Sequence, residues 1–549
     1  YGQSLIGSCL CSIIGSFSQP MVCLLITHPD SDISSNTSKL RVSWLWLIAI
    51  ALFFAFVFVL LLQSAMHKQL NHDEHMYVSS GVLILHNRWP YDDYPYFQMP
   101  LLSLIYAVAF SFWPDYLLVA RLINICCAFG VCVLLFSFIA RLLASQTRAL
   151  RFGLAALSVT LYIAGSQFVY TSGIAWNHDL PVLLTIGALF ILLSQEASPQ
   201  LTTRIVVMIL FSGVFIGLAT SARLLFIVVA LPFALHLFLA PPAPSFAMRL
   251  RRVAVFCVGV SLGLLPCLPF LIAAPSAFMF GNITYHGLNE QYWRTLNYER
   301  AMTLPAKLSY SFDIFLAEPA NWLLILGVLV VLVLVLRFRQ RMIVLPFVLS
   351  LSVFLALFVG ALIPTPTWLQ YFYAPYALLA VALCIGVALL VRIGQHRRII
   401  VPFFTLFTLV SAAFTLPSYI SPGDVFRFDD WTPTAISNVS REISAQVPTG
   451  TVVTLSPIYA LQAGLNIYPA LSSGPFGFRV ANTLQPSTRQ GDNLLSADDT
   501  VAQMTANPPE AILTGAEGTL EYALTQFATD HNYTQTTLSN GLTLWLRPK

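Results

Sequence analysis

Apolar positions in this chain cluster into runs the length of whole helices. A stretch of about 20 apolar residues is what an α-helix needs to cross roughly 30 Å of hydrocarbon. Such windows recur near 43–66, 117–140, 152–174, 180–194, 205–222, 224–240, 253–275, 320–336, 343–363, 371–391 and 399–419. They predict about 11 transmembrane helices. The windows 180–194, 205–222, 224–240 and 320–336 are the short ones. Between the runs lie two long polar segments, 67–116 and 276–319, and from about 421 the chain stays polar to its end. Within that last part, Thr451 to Leu455, Ala511 to Leu513 and Leu542 to Leu546 read as short buried strands, and 432–446 and 518–530 as amphipathic helices. The expected fold class is therefore a polytopic α-helical membrane protein, residues 43–420, followed by a small C-terminal α/β soluble domain, 421–549. Residues 1–42 carry no charge until Asp30, and Gly, Ser and Pro interrupt their apolar run; they stay unassigned.

Composition agrees with the pattern. The 549 residues are 57% hydrophobic and 9% charged, with a mean hydropathy of +0.75, which excludes an ordinary soluble globule. The net charge of +4 is dispersed, so nothing supports nucleic-acid binding. Of the nine cysteines, Cys9, Cys11 and Cys23 lie near the N-terminus and the other six in expected spans, which predicts neither a disulfide framework nor a zinc site. Charge informs topology instead. Basic residues fall in alternate loops, around 39–41, 141–151, 204, 249–252, 337–341 and 392–398, which should be cytoplasmic. Between 42 and 420 every acidic residue but Glu196 falls in the opposite set. The expectation is a plasma-membrane protein with a cytoplasmic N-terminus and its C-terminal domain outside.

Candidate chemistry concentrates in the first exterior loop. Asn71-His72-Asp73-Glu74-His75 follows the first apolar run, and carboxylates so close to a bilayer mark a polar cavity or active site more often than they decorate a surface. Then come Tyr77, Gly81, Arg88-Trp89-Pro90-Tyr91-Asp92-Asp93-Tyr94-Pro95-Tyr96 and Gln98-Met99-Pro100. The aromatic cluster suits sugar stacking and membrane-interface anchoring equally. Asp179 stands in Trp176-Asn177-His178-Asp179-Leu180-Pro181, and Arg223 follows the small-residue segment Leu218 to Ala222. Asp73, Glu74 and His75 are the candidate ligands for a divalent ion, the candidate cofactor, although their spacing matches no compact zinc pattern. Imidazole hydrogen bonds to loop backbone explain the histidines equally well.

These elements, in this order, resemble the GT-C glycosyltransferases, in the branch of protein O-mannosyltransferases and lipid A aminoarabinose transferases. The resemblance covers about 60 to 420. It rests on the acidic motif at Asp73-Glu74, the second acidic position Asp179, the basic residue Arg223, the Tyr285-His286 element, and Gln370-Tyr371-Phe372 with Pro375 opening a late helix. Gln98-Met99-Pro100 departs from the pattern, since many relatives carry a Lys or His before that proline.

The resemblance implies an enzyme that moves a sugar, with inversion, from a polyprenyl-phosphate donor to a protein, lipid or glycan acceptor at the exterior face. Asp73 would be the base, with Glu74 and Asp179 orienting the acceptor. Arg223 would meet the departing phosphate, its planar fork matching two oxygens. Tyr77, Arg88, Tyr94, His286, Gln370 and Tyr371 are the further substrate-binding candidates. Two other classes stay open: a non-catalytic membrane scaffold that kept the fold, and a lipid or polysaccharide transporter. A transporter would show internal repeats and broken midplane helices, and the chain shows no convincing repeat.

Overall fold

The protein is described by a computed structural model over residues 36–194, 201–239, 245–316, 318–338, 341–394, 397–419 and 427–548. The expected segment 1–42 falls almost wholly outside these residues, as do Cys9, Cys11, Cys23 and Glu196. The chain divides into two compact units, Tyr1–Leu60 and Leu61–Lys549. The first is described only by the start of the helix Asn36–His67, and the features below belong to the second.

Among the described residues, seven helices are long and apolar enough to cross a membrane: Trp44–His67, Tyr116–Leu142, Thr203–Ala222, Phe246–Ala273, Val344–Ala361, Leu369–Arg392 and Arg397–Ser418. Four shorter apolar helices accompany them, Leu101–Phe110, Asp179–Leu193, Leu224–Leu239 and Asn321–Arg337. At 15 residues, Asp179–Leu193 is about 22 Å long at 1.5 Å per residue, short of a full crossing. Each expected window falls on one of these helices except 152–174. That window breaks into Arg148–Ile163 and Ser166–Thr171.

Side chains from the late helices make the break. A Cβ on Gly165 would lie 2.0 Å from Cζ of Tyr376, so only glycine admits that ring. The carbonyls freed where the helix ends then accept hydroxyl protons, Leu161 from Tyr376 at 2.9 Å, Ile163 from Tyr419 at 2.6 Å and Ala164 from Thr415 at 2.7 Å. Helix ends inside a membrane are tolerated only with such partners.

Helix Tyr373–Arg392 is buried on all sides from Tyr373 to Val391, as an all-round apolar helix must be. A second close packing joins Thr203–Ala222 to Phe246–Gly263. A Cβ on Gly213, Gly217, Gly259 or Gly263 would come within 2.2–2.3 Å of a carbonyl oxygen on the facing helix. Paired small-xxx-small stripes of this kind let two backbones touch, and the pair fixes the helix end that carries Arg223.

The C-terminal part forms a five-stranded mixed sheet in the order β2-β1-β3-β5-β4. Its strands are β1 (Thr451–Thr454), β2 (Asn466–Ile467), β3 (Ala511–Thr514), β4 (Thr534–Thr537) and β5 (Thr543–Leu546). β1 pairs in parallel with β2 and β3, while β5 runs antiparallel to β3 and β4. The expected helices are present as Thr432–Gln446 and Tyr522–Asp530. One apolar core runs from the loop segment (Met76, Tyr96, Phe97) into the sheet layer (Ile458, Val452, Leu544). Polar ties reinforce it: Ser473 donates to the Pro95 carbonyl at 2.6 Å, Thr432 to that of Lys68 at 2.7 Å, and the Tyr116 amide to Gln462 at 2.9 Å. The first loop and the C-terminal layer therefore form one body on the same side of the helices.

Candidate functional site

The site is built around the start of helix His72–Leu85. Asn71 caps it: its side chain accepts from the Asp73 amide at 2.9 Å, and its own amide donates to Glu74 Oε2 at 2.9 Å. This reciprocal arrangement satisfies amides that a helix start leaves open. It also sends the two adjacent carboxylates to different places.

Glu74 turns inward and is fully buried. Arg121 grips it with two parallel bonds, Nε to Oε1 at 2.9 Å and Nη2 to Oε2 at 2.7 Å, and the Ala175 amide adds a third to Oε1 at 2.9 Å. The same guanidinium donates to the carbonyls of Ala65 at 2.9 Å and Lys68 at 2.8 Å. Arg121 thus ties the end of the first long helix to the beginning of the next, with both charges compensated as burial requires.

Asp73 turns outward, and 23% of its side chain remains exposed. Among the described residues its ion-pairing partner is the His72 ring, at 3.5 Å, a cation only when protonated. Burial raises its carboxyl above the usual range, opposed by the positive pull of His72, Arg479 and Arg223. A carboxylate flanked by cations yet with no strong hydrogen bond of its own is available to take a proton.

Arg223 faces it from the end of Thr203–Ala222. Its Nη1 lies 2.7 and 2.8 Å from the two ring nitrogens of His178, and its guanidinium stacks 4.9 Å from the Tyr371 ring centre. The Arg223 charge also acts on Tyr77 and His286. Tyr77 is buried edge-on to Tyr96, His286 is exposed at the rim beside Tyr285, and Gln370 is half-buried next to Tyr371. Of the residues singled out in the sequence, Asp73, Arg223, Tyr77, Tyr371 and His286 thus form one electrostatic cluster, the vestibule, in which Arg223 acts on the other four.

Others stand apart. Arg88 is an exposed partner of Asp93 at 3.7 Å. Tyr94 is buried with its hydroxyl 2.8 Å from Ser80 Oγ, a packing arrangement. Asp179 is fully buried, accepting from Tyr373 at 2.8 Å and from the Gly173 amide at 2.7 Å, and Tyr373 is in turn 2.9 Å from Tyr162. Gln98 is held in the packing of the loop, since Asn177 donates to its side chain at 2.9 Å and Tyr91 to its carbonyl. His75 faces the C-terminal layer, its Nδ1 accepting from the Ile458 amide at 3.4 Å, and burial pushes its imidazole down to about 3. Asp73, Glu74 and His75 therefore point three ways. Among the described residues no three His, Cys, Asp or Glu side chains converge, and this set does not fit a divalent ion.

Several residues of the site have no part in the sequence reading. Arg121 carried a signal, being the one charge in the window 117–140. Arg479, on the short helix Pro475–Ala481, carried none. It reaches the vestibule only because the C-terminal layer folds onto the first loop, where its neighbour Phe476 lies edge-on to His72 at 5.5 Å.

No family model and no curated protein matches the chain. Among solved structures it is similar to ArnT from Cupriavidus metallidurans bound to undecaprenyl phosphate, at a TM-score of 0.57 and 13% identity over 90% of this chain and 97% of that one. The apo state of ArnT gives a TM-score of 0.57 and 12% identity, over 92% and 98% of the two chains. The fold is the GT-C membrane fold. That likeness extends over nearly the whole of both chains.

Proposed function

We propose that the chain is a membrane glycosyltransferase that moves a sugar from a polyprenyl-phosphate donor to an acceptor hydroxyl on the exterior face of the plasma membrane. One observation carries this reading: the charge of Arg223, a forked cation, acts on Asp73, a part-exposed carboxylate, in a chain with the fold of ArnT. The acceptor oxygen attacks the anomeric carbon, the bond from that carbon to the phosphate oxygen breaks with its electron pair leaving on the phosphate, and the acceptor proton passes to Asp73. Attack opposite the leaving group inverts the anomeric centre. A positioned base of this kind contributes about 10²–10⁴-fold. Arg223 meets the charge that grows on the leaving phosphate, where a preorganised donor in a partly dry site contributes about 3 kcal/mol.

Glu74 and Asp179 serve this chemistry from behind. Glu74, held by Arg121 and the Asn71 cap, fixes the helix turn from which Asp73 projects. Asp179 anchors the segment 173–179 and, through Tyr373, the helix that follows Tyr371. Basic loops on one side and the acidic loop with the C-terminal layer on the other support a cytoplasmic N-terminus and an exterior site. ArnT was solved with undecaprenyl phosphate, which supports a polyprenyl-phosphate donor here.

The test is lipid extraction from cells lacking the protein, with and without complementation. One polyprenyl-phosphate sugar should accumulate in the null strain, return to its normal level with the wild-type chain, and stay high with Asp73→Asn. An unchanged lipid-linked sugar pool in all three strains would overturn the reading.

A further inference from the structure

The vestibule holds a second arginine whose surroundings are unfinished. Arg479 is only 9% exposed, yet its closest carboxylate, on Glu517, is 3.6 Å away, well outside the 2.7–2.9 Å of a charge-assisted bond. Its Nε is buried and has no hydrogen-bond partner. The guanidinium is packed among rings instead, 5.4 Å from the centre of Phe476 and 5.8 Å from those of Tyr292 and Trp293. A buried cation left in this state is costly unless an anion completes it.

A second buried donor lies in the same wall. Tyr285, stacked on Phe97 at 4.0 Å, is 3% exposed and its hydroxyl also has no partner. The Arg479 charge acts on Tyr285 and on Asp73, and the Arg223 charge acts on Asp73 as well. Two cations from different parts of the chain therefore act on Asp73, and Arg479 Nε and the Tyr285 hydroxyl are the two open donors. Glu517 is a weak competitor for Arg479, because burial pushes its carboxyl up to about 7 and leaves it partly protonated near neutrality.

We propose that Arg479 and Tyr285 form an oxyanion subsite which, with Arg223, clamps the phosphate of the lipid-linked donor, so that the C-terminal layer completes the donor site. The inference rests on the glycosyltransferase reading and adds two binding residues to it. The ligand chemistry is a phosphate oxyanion, which either a lipid headgroup or free phosphate could present. The aromatic cage favours the headgroup, since apolar walls desolvate an anion that a long chain holds in place.

The experiment measures binding to the full-length chain in lipid nanodiscs with three probes: undecaprenyl phosphate, undecaprenol and inorganic phosphate. Wild type should bind the lipid phosphate far more tightly than the other two. Arg479→Gln should weaken lipid-phosphate binding about tenfold and leave undecaprenol unchanged, with Arg479→Lys recovering part of the loss. Tyr285→Phe should weaken it by a smaller factor. Glu517→Gln removes the competing carboxylate and should tighten binding, an effect that damage to folding cannot mimic. If inorganic phosphate binds as tightly as the lipid phosphate, the headgroup is not the ligand and the clamp fails. If Arg223→Ala loses the lipid phosphate while Arg479→Gln and Glu517→Gln bind it like wild type, this inference falls and the functional reading stands. If the wild-type chain shows no preference for lipid phosphate over undecaprenol, both fall.

Discussion

Two of the protein's arginine–carboxylate pairs, Arg121–Glu74 and Arg479–Glu517, differ in how completely they are bonded. Arg121 and Glu74 are completely buried, bonded twice at 2.9 and 2.7 Å, and every further donor of the guanidinium ends on a backbone carbonyl. Arg479 and Glu517 approach only to 3.6 Å, with Nε left over. The first pair is closed to ligands and holds helix ends together. The second is incompletely bonded, and its arginine acts on Asp73. The same contrast separates the neighbouring carboxylates: Glu74 accepts four hydrogen bonds from protein, through Arg121, Ala175 and Asn71, while Asp73 has only a 3.5 Å approach to His72. Saturation of hydrogen bonds, more than charge or sequence position, separates the two pairs and the two carboxylates.

The contrast can be broken experimentally, most forcefully at its two carboxylates. Asp73→Asn should lower turnover about 10³-fold while shifting thermal stability by less than about 0.5 kcal/mol, as expected for a partly exposed side chain outside the packed core. Turnover and unfolding temperature measured on the same preparation decide it, and a large loss of stability would move Asp73 into the structural class. Arg121→Met should do the reverse and destabilise the chain by about 3 kcal/mol, because it strands Glu74 as a buried unpaired charge. The double variant Arg121→Met with Glu74→Leu should recover much of that loss. A single variant as stable as wild type would remove the distinction between the pairs.

A smaller effect comes from the open pair. Glu517 has a folded-state pKa raised above its ordinary 4.5 to about 7, chiefly by burial. A raised pKa means the folded state binds the proton more tightly. The associated stability is therefore fully present below about pH 4.5 and is lost as pH rises through about 7. Unfolding temperatures between pH 5 and 8 should fall with pH in the wild type and fall less in Glu517→Gln. Equal slopes in the two proteins would show that Glu517 is already well paired.

Much of this molecule was legible from its residues. Helix-length apolar runs gave the spans, because in hydrocarbon a continuous helix is nearly the only way to satisfy every backbone group. Short buried stretches gave β1, β3 and β5. The broken window 152–174 was not legible. Its apolar run reads as continuous, and the interruption at Gly165 depends on the Tyr376 ring and on hydroxyls of Thr415 and Tyr419, all more than two hundred residues away. Arg88 and Tyr94 are substrate candidates by residue type and loop position alone, and their protein partners were not legible. Folding gave them Asp93 and Ser80 instead.

By itself, then, the sequence determined the membrane character, the run of helices, the C-terminal α/β layer and the presence of carboxylates and cations at one face, since each depends on local composition and periodicity. Only the tertiary structure decided which of those charges pair off and which stay open. That choice separated Asp73 from Glu74 and brought Arg479 to the vestibule from some four hundred residues further along the chain. The reason is physical: whether a charge is saturated depends on donors and acceptors that burial brings within about 3 Å, and no pattern along the chain encodes those distances.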